Sequence, residues 1–476
     1  MTAQIASPAV DAQPLPRTAV RWWHEALILG SVMVALLLLG LWQLGGLSLW
    51  RDEVASVVFA KGSLGDLLTI IGRDRDAVGL ANMATYYLLL HFWLAVGETE
   101  SRIRLLSVLF GVASVVPVYF IARRLGGWLA AGLAASIFAL IPYVIHYSQE
   151  ARGYSLAMLI GGALTWLVLI GVERSRGAWW PWLAYGLIAA LGLYVHFFVA
   201  LVVAAHGLWL LVTRQVPGWR GIAAGGIPLL LAAAPIPLII VQFGGEQEWI
   251  PPLTLSQAAG AITDLAGGLP LLLALTALGV VAVVVRRRDA LIWLVVGCIV
   301  IPIVGAAAIS VVKPMFVGRY LIIVLPFVAV LAACALVALP RAWMRGAAAV
   351  AVAGLLLLAL PSAYADTHQQ DWRAAGPWMA SRIQAGDRLI AGNGQRSINY
   401  YLRKAGTEEV PRITTAGDAL AEPSAGRVWL VMTQSAASSS LRERLAAGFD
   451  EIEERDFGDH LTVVLLEPRD ASALPG

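Results

Sequence analysis

Long runs without a single charged side chain constrain this chain more than anything else in it. Ala26 to Leu41 and Leu321 to Leu339 carry no charged residue, and they approach the roughly 20 apolar residues a helix needs to cross a bilayer. Such runs recur along most of the 476 residues, of which 59% are hydrophobic and 14% charged. The mean hydropathy is +0.74. A soluble domain is far more polar, so lipid is the main solvent of this chain.

Hydropathy places spans near 26–47, 103–121, 128–146, 153–172, 179–194, 196–213, 221–241, 262–285, 290–311, 320–338 and 346–362. One further apolar stretch, Met83 to Val96, is short enough for a re-entrant or interfacial segment. The arginines decide its reading. If it does not cross, one face receives Arg17, Arg21, Arg123, Arg124, Arg174, Arg176, Arg214, Arg220, Arg286 to Arg288, Arg341 and Arg345. If it crosses, every later loop changes side and the basic bias reverses. Positive charge collects on the cytoplasmic side. The expected topology therefore has about 11 transmembrane helices, a cytoplasmic segment 1–25, a membrane domain 26–363 with an outer loop 48–102, and an extracytoplasmic region 364–476. The first apolar run lacks a small-residue cleavage site and reads as a membrane helix, not a removable signal. The implied location is a cell membrane.

From Asp366 onward the pattern changes. Apolar runs shorten to strand length at Val428 to Met432 and Leu461 to Leu466, with helical patterns at Trp372 to Ile383 and Leu441 to Ala447. This predicts a small α/β domain of about 110 residues, an ordinary size for a fold of its own. No fixed-period repeat is visible, which argues against a solenoid or an obvious inverted-repeat carrier. Both cysteines, Cys298 and Cys334, lie within apolar runs and offer no paired-thiol or metal spacing. A net charge of +3 with scattered arginines gives no basic patch for nucleic acid.

Ionisable groups at helix mouths are costly and mark candidate sites. They gather at the expected outer ends of the spans: Arg51-Asp52-Glu53, Asp74 and Asp76, His146, Gln149-Glu150-Ala151-Arg152, Tyr194 with His196, Glu246 and Glu248, and Lys313 with Arg319-Tyr320. Acids and arginines under an outer loop suit transfer of a sugar from a phosphate to a hydroxyl. One carboxylate takes the acceptor proton, and cations meet the charge that grows on the departing phosphate. Arginine fits the second task because its planar fork binds phosphate oxygens bidentately. A purely structural reading of Asp52-Glu53 also exists: the pair caps a short helix over Val54 to Lys61.

The segment Leu49-Trp50-Arg51-Asp52-Glu53 is followed by YYLLLHFW at 86–93, RLLSVLFG from Arg104, HYSQEARGY at 146–154, YVHFF at 194–198 and GRYLIIVLP at 318–326. In these motifs, and over most of the membrane domain, the chain resembles the GT-C membrane glycosyltransferases related to protein O-mannosyltransferases and lipid A aminoarabinose transferases (glycosyltransferase family 39 and its bacterial relatives). The resemblance implies a mainly α, polytopic GT-C fold with juxtamembrane helices in the first outer loop. It implies Asp52 as catalytic base with Glu53 as its supporting partner. Arg319, Tyr320, Arg152 and Lys313 would bind the donor phosphate, and Glu150, Tyr154, His196, Asp76 and Asn82 the substrates. Where many relatives carry His-Pro-Pro-Leu or an acid before Asn-Met, this chain reads Gly79-Leu80-Ala81-Asn82-Met83. A second loop carboxylate is then in question. So is a divalent cation, which would want oxygen ligands from both places, and no cofactor is predicted.

Other residues have plainer readings. His91 reads as a packing residue, and Trp179, Trp180 and Trp182 as an interfacial belt. Arg286 to Arg288 read as topology anchors, and Asp371 as a cap for the first helix of the tail. The function expected is an inverting glycosyltransferase using a polyprenyl-phosphate sugar, with mannose first among the sugars, and a glycan, lipid or protein of the cell envelope as acceptor. The rival readings are a flippase for lipid-linked sugars and a non-catalytic envelope assembly protein.

Overall fold

The computed structural model describes residues 22–63, 65, 82–174, 177–234, 250–365, 370–407, 410–433 and 436–469. Expectations resting on Arg17, Arg21, Asp74, Asp76, Arg176, Glu246 and Glu248 lie outside the described residues. The helical part comprises α1 (Trp22–Leu41), α2 (Arg51–Ala60), α3 (Ala84–Trp93), α4 (Glu100–Leu140), α5 (Pro142–Ser148), α6 (Tyr154–Glu173), α7 (Trp180–Leu193), α8 (Val199–Val212) and α9 (Trp219–Ala233). It continues with α10 (Leu255–Ala266), α11 (Leu269–Arg286), α12 (Ala290–Val312), a 3-10 segment Gly318–Val324 leading into α13 (Leu325–Ala338), and α14 (Ala342–Ala359) with a 3-10 turn Leu360–Tyr364.

Each of the eleven apolar stretches contains helix among the described residues, the first giving way to a turn after Leu41. In hydrocarbon every backbone N–H and C=O must be bonded within the segment, which a helix achieves. Seven described helices are long and apolar enough to cross a membrane, and α7, α8 and α9 are shorter apolar helices. The first of two expected spans after residue 100 runs straight into the second as α4. An unbroken helix of 41 residues would measure about 60 Å, twice the bilayer core. The break is at Gly127, whose φ of 75° and ψ of −170° belong to a region essentially reserved for glycine. Large apolar side chains such as Leu38, Leu211, Leu230 and Val350 point out of the bundle, where only lipid would solvate them. Helices α7 and α9 approach so closely that a Cβ on Gly186 would lie 2.4 Å from the Gly225 carbonyl oxygen. Small residues permit such crossings in membranes.

Helix α3 rises only about 15 Å, half the core of a bilayer. Both of its ends are pinned to the same end of the bundle. At its start Thr85 N–H donates to Tyr194 O (3.0 Å) and Thr85 Oγ1 to Leu191 O (3.0 Å). At its other end the His91 ring meets Ala60 O (2.7 Å) and Trp93 Nε1 donates to Arg102 O (2.7 Å). The stretch Met83 to Val96 is therefore a juxtamembrane helix, and His91 has the bracing contact expected of a packing residue. At the opposite end of the bundle Glu25 pairs with Arg123, and Glu173 with Arg124.

The tail continues as α15 (Trp372–Ala380), β1 (Arg388–Ile390), α16 (Gln395–Lys404), β2 (Arg412–Ile413), α17 (Ala416–Ala421), β3 (Val428–Thr433), α18 (Ala436–Leu445), β4 (Phe449–Asp456) and β5 (Leu461–Pro468). The five strands order as β2-β1-β3-β5-β4, parallel on the β2-β1-β3 side and antiparallel across β3-β5-β4. The two-residue period of a strand splits the sheet into two faces. Trp429, Val431, Val463 and Leu465 join the apolar cluster that runs on into the membrane domain. Val428, Leu430, Val464 and Leu466 pack beneath Leu445 and Phe449 in a separate core. Asp371 caps α15 through its carboxylate, which accepts the Ala374 N–H (3.1 Å).

Trp182 departs from the interfacial reading. It is buried, lying where a Cβ added at Gly171 or Gly221 would strike its indole. The two glycines open an inward groove that a tryptophan fills. Trp179 and Trp180 are exposed, with Arg174 stacked 5.0 Å from the Trp180 ring.

Candidate active site

The α1–α2 loop ends in Trp50, and α2 starts one residue earlier than the acidic pair, at Arg51. This corrects the helix expected over Val54 to Lys61. The cap belongs to Trp50 and Glu53: the Glu53 carboxylate accepts the Trp50 N–H at 3.3 Å. Acids in a first helical turn also oppose the positive end of the helix dipole.

Glu53 and Asp52 then part company. Glu53 is fully buried and grips Arg104 twice, Nε to Oε1 at 2.8 Å and Nη2 to Oε2 at 2.6 Å. It also accepts the Ala151 N–H at 2.9 Å. A buried carboxylate held by this many donors is a strut. Asp52 keeps its side chain 20% exposed, with Arg51 Nε 3.6 Å from one oxygen and Arg152 Nη2 3.9 Å from the other.

Three further segments converge on this acid. The turn between α5 and α6 supplies Arg152, which donates to the Tyr87 hydroxyl (3.1 Å) and to Asp52 O (3.4 Å), while its buried Nε makes no hydrogen bond. The 3-10 segment before α13 supplies Arg319, stacked 5.8 Å from the Trp50 ring and 5.9 Å from Tyr320. The turn between α7 and α8 supplies His196, 5.3 Å from the Tyr320 ring and 6.2 Å from Tyr154. His196 Nδ1 accepts the Phe198 N–H at 3.2 Å, which leaves the proton of a neutral ring on Nε2. That Nε2 is buried and makes no hydrogen bond. Burial first, then Arg152 and Arg319, push the imidazole pKa down to about 3, so the ring is a neutral N–H donor between two guanidinium groups.

Of the other expected site residues, Glu150 stands in the same turn as Arg152, one oxygen 3.4 Å from His146 Nε2 and the other buried without a hydrogen bond. Tyr154 is buried, edge-on to Tyr147 at 5.0 Å. Asn82 braces the His196 turn, its side-chain oxygen accepting the Phe197 N–H at 2.9 Å. Lys313 ends α12, its N–H closing on Ile309 O at 2.9 Å. Asp76 lies outside the described residues. Arg104 and Tyr87 stand in the sequence motifs without an assigned part. A charged residue just inside the start of a long apolar helix was the available signal for Arg104. Among the described residues no three His, Cys, Asp or Glu side chains converge.

Residues 80–240 match the family model described as dolichyl-phosphate-mannose-protein mannosyltransferase. No curated protein matches the sequence significantly. Among solved structures the chain is similar to ArnT from Cupriavidus metallidurans bound to undecaprenyl phosphate, with a TM-score of 0.65 at 14% identity over 96% of this chain and 100% of that one. It is similar to the archaeal oligosaccharyltransferase AglB from Archaeoglobus fulgidus, in complex with an inhibitory peptide and a dolichol-phosphate, with a TM-score of 0.54 at 11% identity over 95% and 75% of the two chains. The mycobacterial arabinofuranosyltransferase AftD gives 0.53 at 15% identity, over 95% of this chain and 42% of that one. At these identities the likeness is one of fold.

Proposed function

We propose that this multi-pass membrane protein of the GT-C fold is a glycosyltransferase that moves a sugar, mannose first among the candidates, from a polyprenyl-phosphate donor to a hydroxyl of a cell-envelope acceptor with inversion. The observation that carries the reading is the convergence of a partly exposed carboxylate, Asp52, with Arg152, Arg319 and the His196 N–H from four separate segments. The family match over 80–240 supports it, as do the lipid phosphates named for the neighbours of like fold.

In the proposed reaction Asp52 takes the acceptor proton while the acceptor oxygen bonds to the anomeric carbon. The bond from that carbon to the phosphate oxygen breaks on the opposite face, and the phosphate leaves with the electron pair. Arg152, Arg319 and His196 Nε2–H meet the growing negative charge, and Tyr320 and Trp50 shape the pocket around Arg319. Guanidinium groups already in place need no reorganisation at that moment. A donor on a lipid carrier reaches such a site laterally between helices.

Reconstituted protein supplied with radiolabelled polyprenyl-phosphate mannose should form a new glycosidic product. Asp52→Asn should lower kcat by about 10²–10⁴-fold, the usual worth of general-base catalysis. Transfer by the variant at the parental rate would remove Asp52 from the mechanism. Movement of labelled lipid between leaflets with no glycosidic product would favour a flippase.

A further inference from the structure

The loop that delivers Asp52, residues 42–50, is held from two sides. From the membrane domain Arg104 donates Nη1 to Leu44 O (3.1 Å) and Leu47 O (2.9 Å), and Nη2 to Ser48 O (2.9 Å). From the tail Arg373 donates Nη1 to Gly45 O (2.9 Å) and Nη2 to Gly46 O (2.5 Å). The Ser48 hydroxyl donates to Gln370 O (2.7 Å) and accepts the Trp372 N–H (3.3 Å). Successive carbonyls of one short loop are thus divided between two domains.

The last of these contacts is the nearest to Asp52. The buried Tyr401 hydroxyl, on α16, accepts the buried Leu49 N–H at 2.7 Å. It donates in turn to Glu100 Oε1 (3.3 Å), which Lys404 also holds at 2.9 Å. Glu100 opens α4, one helical turn before Arg104, so both sets of contacts act on the same helix end. The loop needs this grip: Gln43 sits at a φ of 56°, a conformation that residues other than glycine adopt only where their surroundings impose it.

We propose that Tyr401 is a positioning residue of the active site and that the tail domain is the clamp that fixes the turn carrying Asp52. The inference rests on the reading of Asp52 as the base. Proton transfer depends on sub-ångström placement of the carboxylate, whereas acceptor binding uses groups outside the turn, and of the groups around the donor phosphate only Trp50 belongs to it. Loosening the turn therefore acts on turnover more than on binding, and leaves acceptor binding alone.

In the full-length reconstituted protein Tyr401→Phe leaves the Leu49 N–H without its acceptor. It should lower kcat about 10–100-fold, the effect of small misplacements at a reacting centre, with acceptor KM unchanged. Backbone amide exchange over 42–50 should quicken in the same variant. That measurement needs no substrate, so it decides the clamp even if no sugar donor supports transfer and the proposed function fails. An unchanged kcat overturns the proposal, as does a raised acceptor KM with kcat intact, which would make the tail an acceptor-recognition module. Unaltered exchange over 42–50 overturns it too. If Tyr401→Phe does not fold, Lys404→Met removes the second donor to Glu100 and the ammonium beside the Tyr400 and Tyr401 rings, at a partly exposed position. It should shift kcat and exchange in the same direction, and parental values for both would overturn the clamp.

Discussion

Asp52 and Glu53 are adjacent in the chain yet stand in different chemical worlds, one beside solvent and two guanidinium groups, the other sealed against Arg104. The motif announced two acids together. Their division of labour follows from the direction of Cβ at successive positions of a helix turn, with Glu53 turned into the bundle. His196 is a similar case, a histidine in a turn whose protonation is set by its buried surroundings. Unfolded, it takes a proton below its ordinary pKa of about 6.5, but folded it does so only near 3. Between those values the unfolded chain binds the extra proton, so this residue's contribution is intact above about 6.5 and is lost as the pH falls. Thermal midpoints of the parent should decline over that window more steeply than those of His196→Asn. Equal slopes would mean that His196 is not buried neutral. The pH–rate profile between 5 and 8 should keep its shape in the variant.

At the scale of elements, apolar run length located the spans, because crossing a bilayer is a local requirement of length and charge. Boundaries and breaks were less visible. The junction of two spans within α4 turns on Gly127 alone, and glycines are frequent throughout the membrane domain. Gly127→Ala should cost about 1–3 kcal/mol, since alanine must occupy a backbone region fit for glycine. The midpoint of thermal unfolding in detergent measures it, and an unchanged midpoint would show that the break tolerates a side chain. In the tail, the apolar β3 and β5 were legible but β4 was not. As the sheet's edge, Phe449–Asp456 reads FDEIEERD, and edge strands carry charge that guards against pairing with other chains.

At the scale of the molecule, acids, arginines and tail lie at one end of the bundle, opposite Arg123 and Arg124. The arginine bias predicts that the tail end is extracytoplasmic. A membrane-impermeant maleimide should label Ser63→Cys in intact cells and Gly177→Cys only after permeabilisation. The reverse pattern would invert the topology and with it the need for a lipid-linked donor.

The sequence by itself determined that the chain lives in a membrane, roughly where it crosses, that Met83 to Val96 stays on one side, and that a small α/β tail follows. These are properties of contiguous stretches, summed over residues that are neighbours in the chain. Only the tertiary structure decided that Glu53 is a strut, that Arg104 holds it, that Asn82 braces a turn, and that Tyr401 reaches the loop before Asp52. Each of those roles is fixed by a hydrogen bond between distant segments, 352 residues apart for Leu49 and Tyr401. A one-dimensional pattern carries no record of which distant group will satisfy a buried donor.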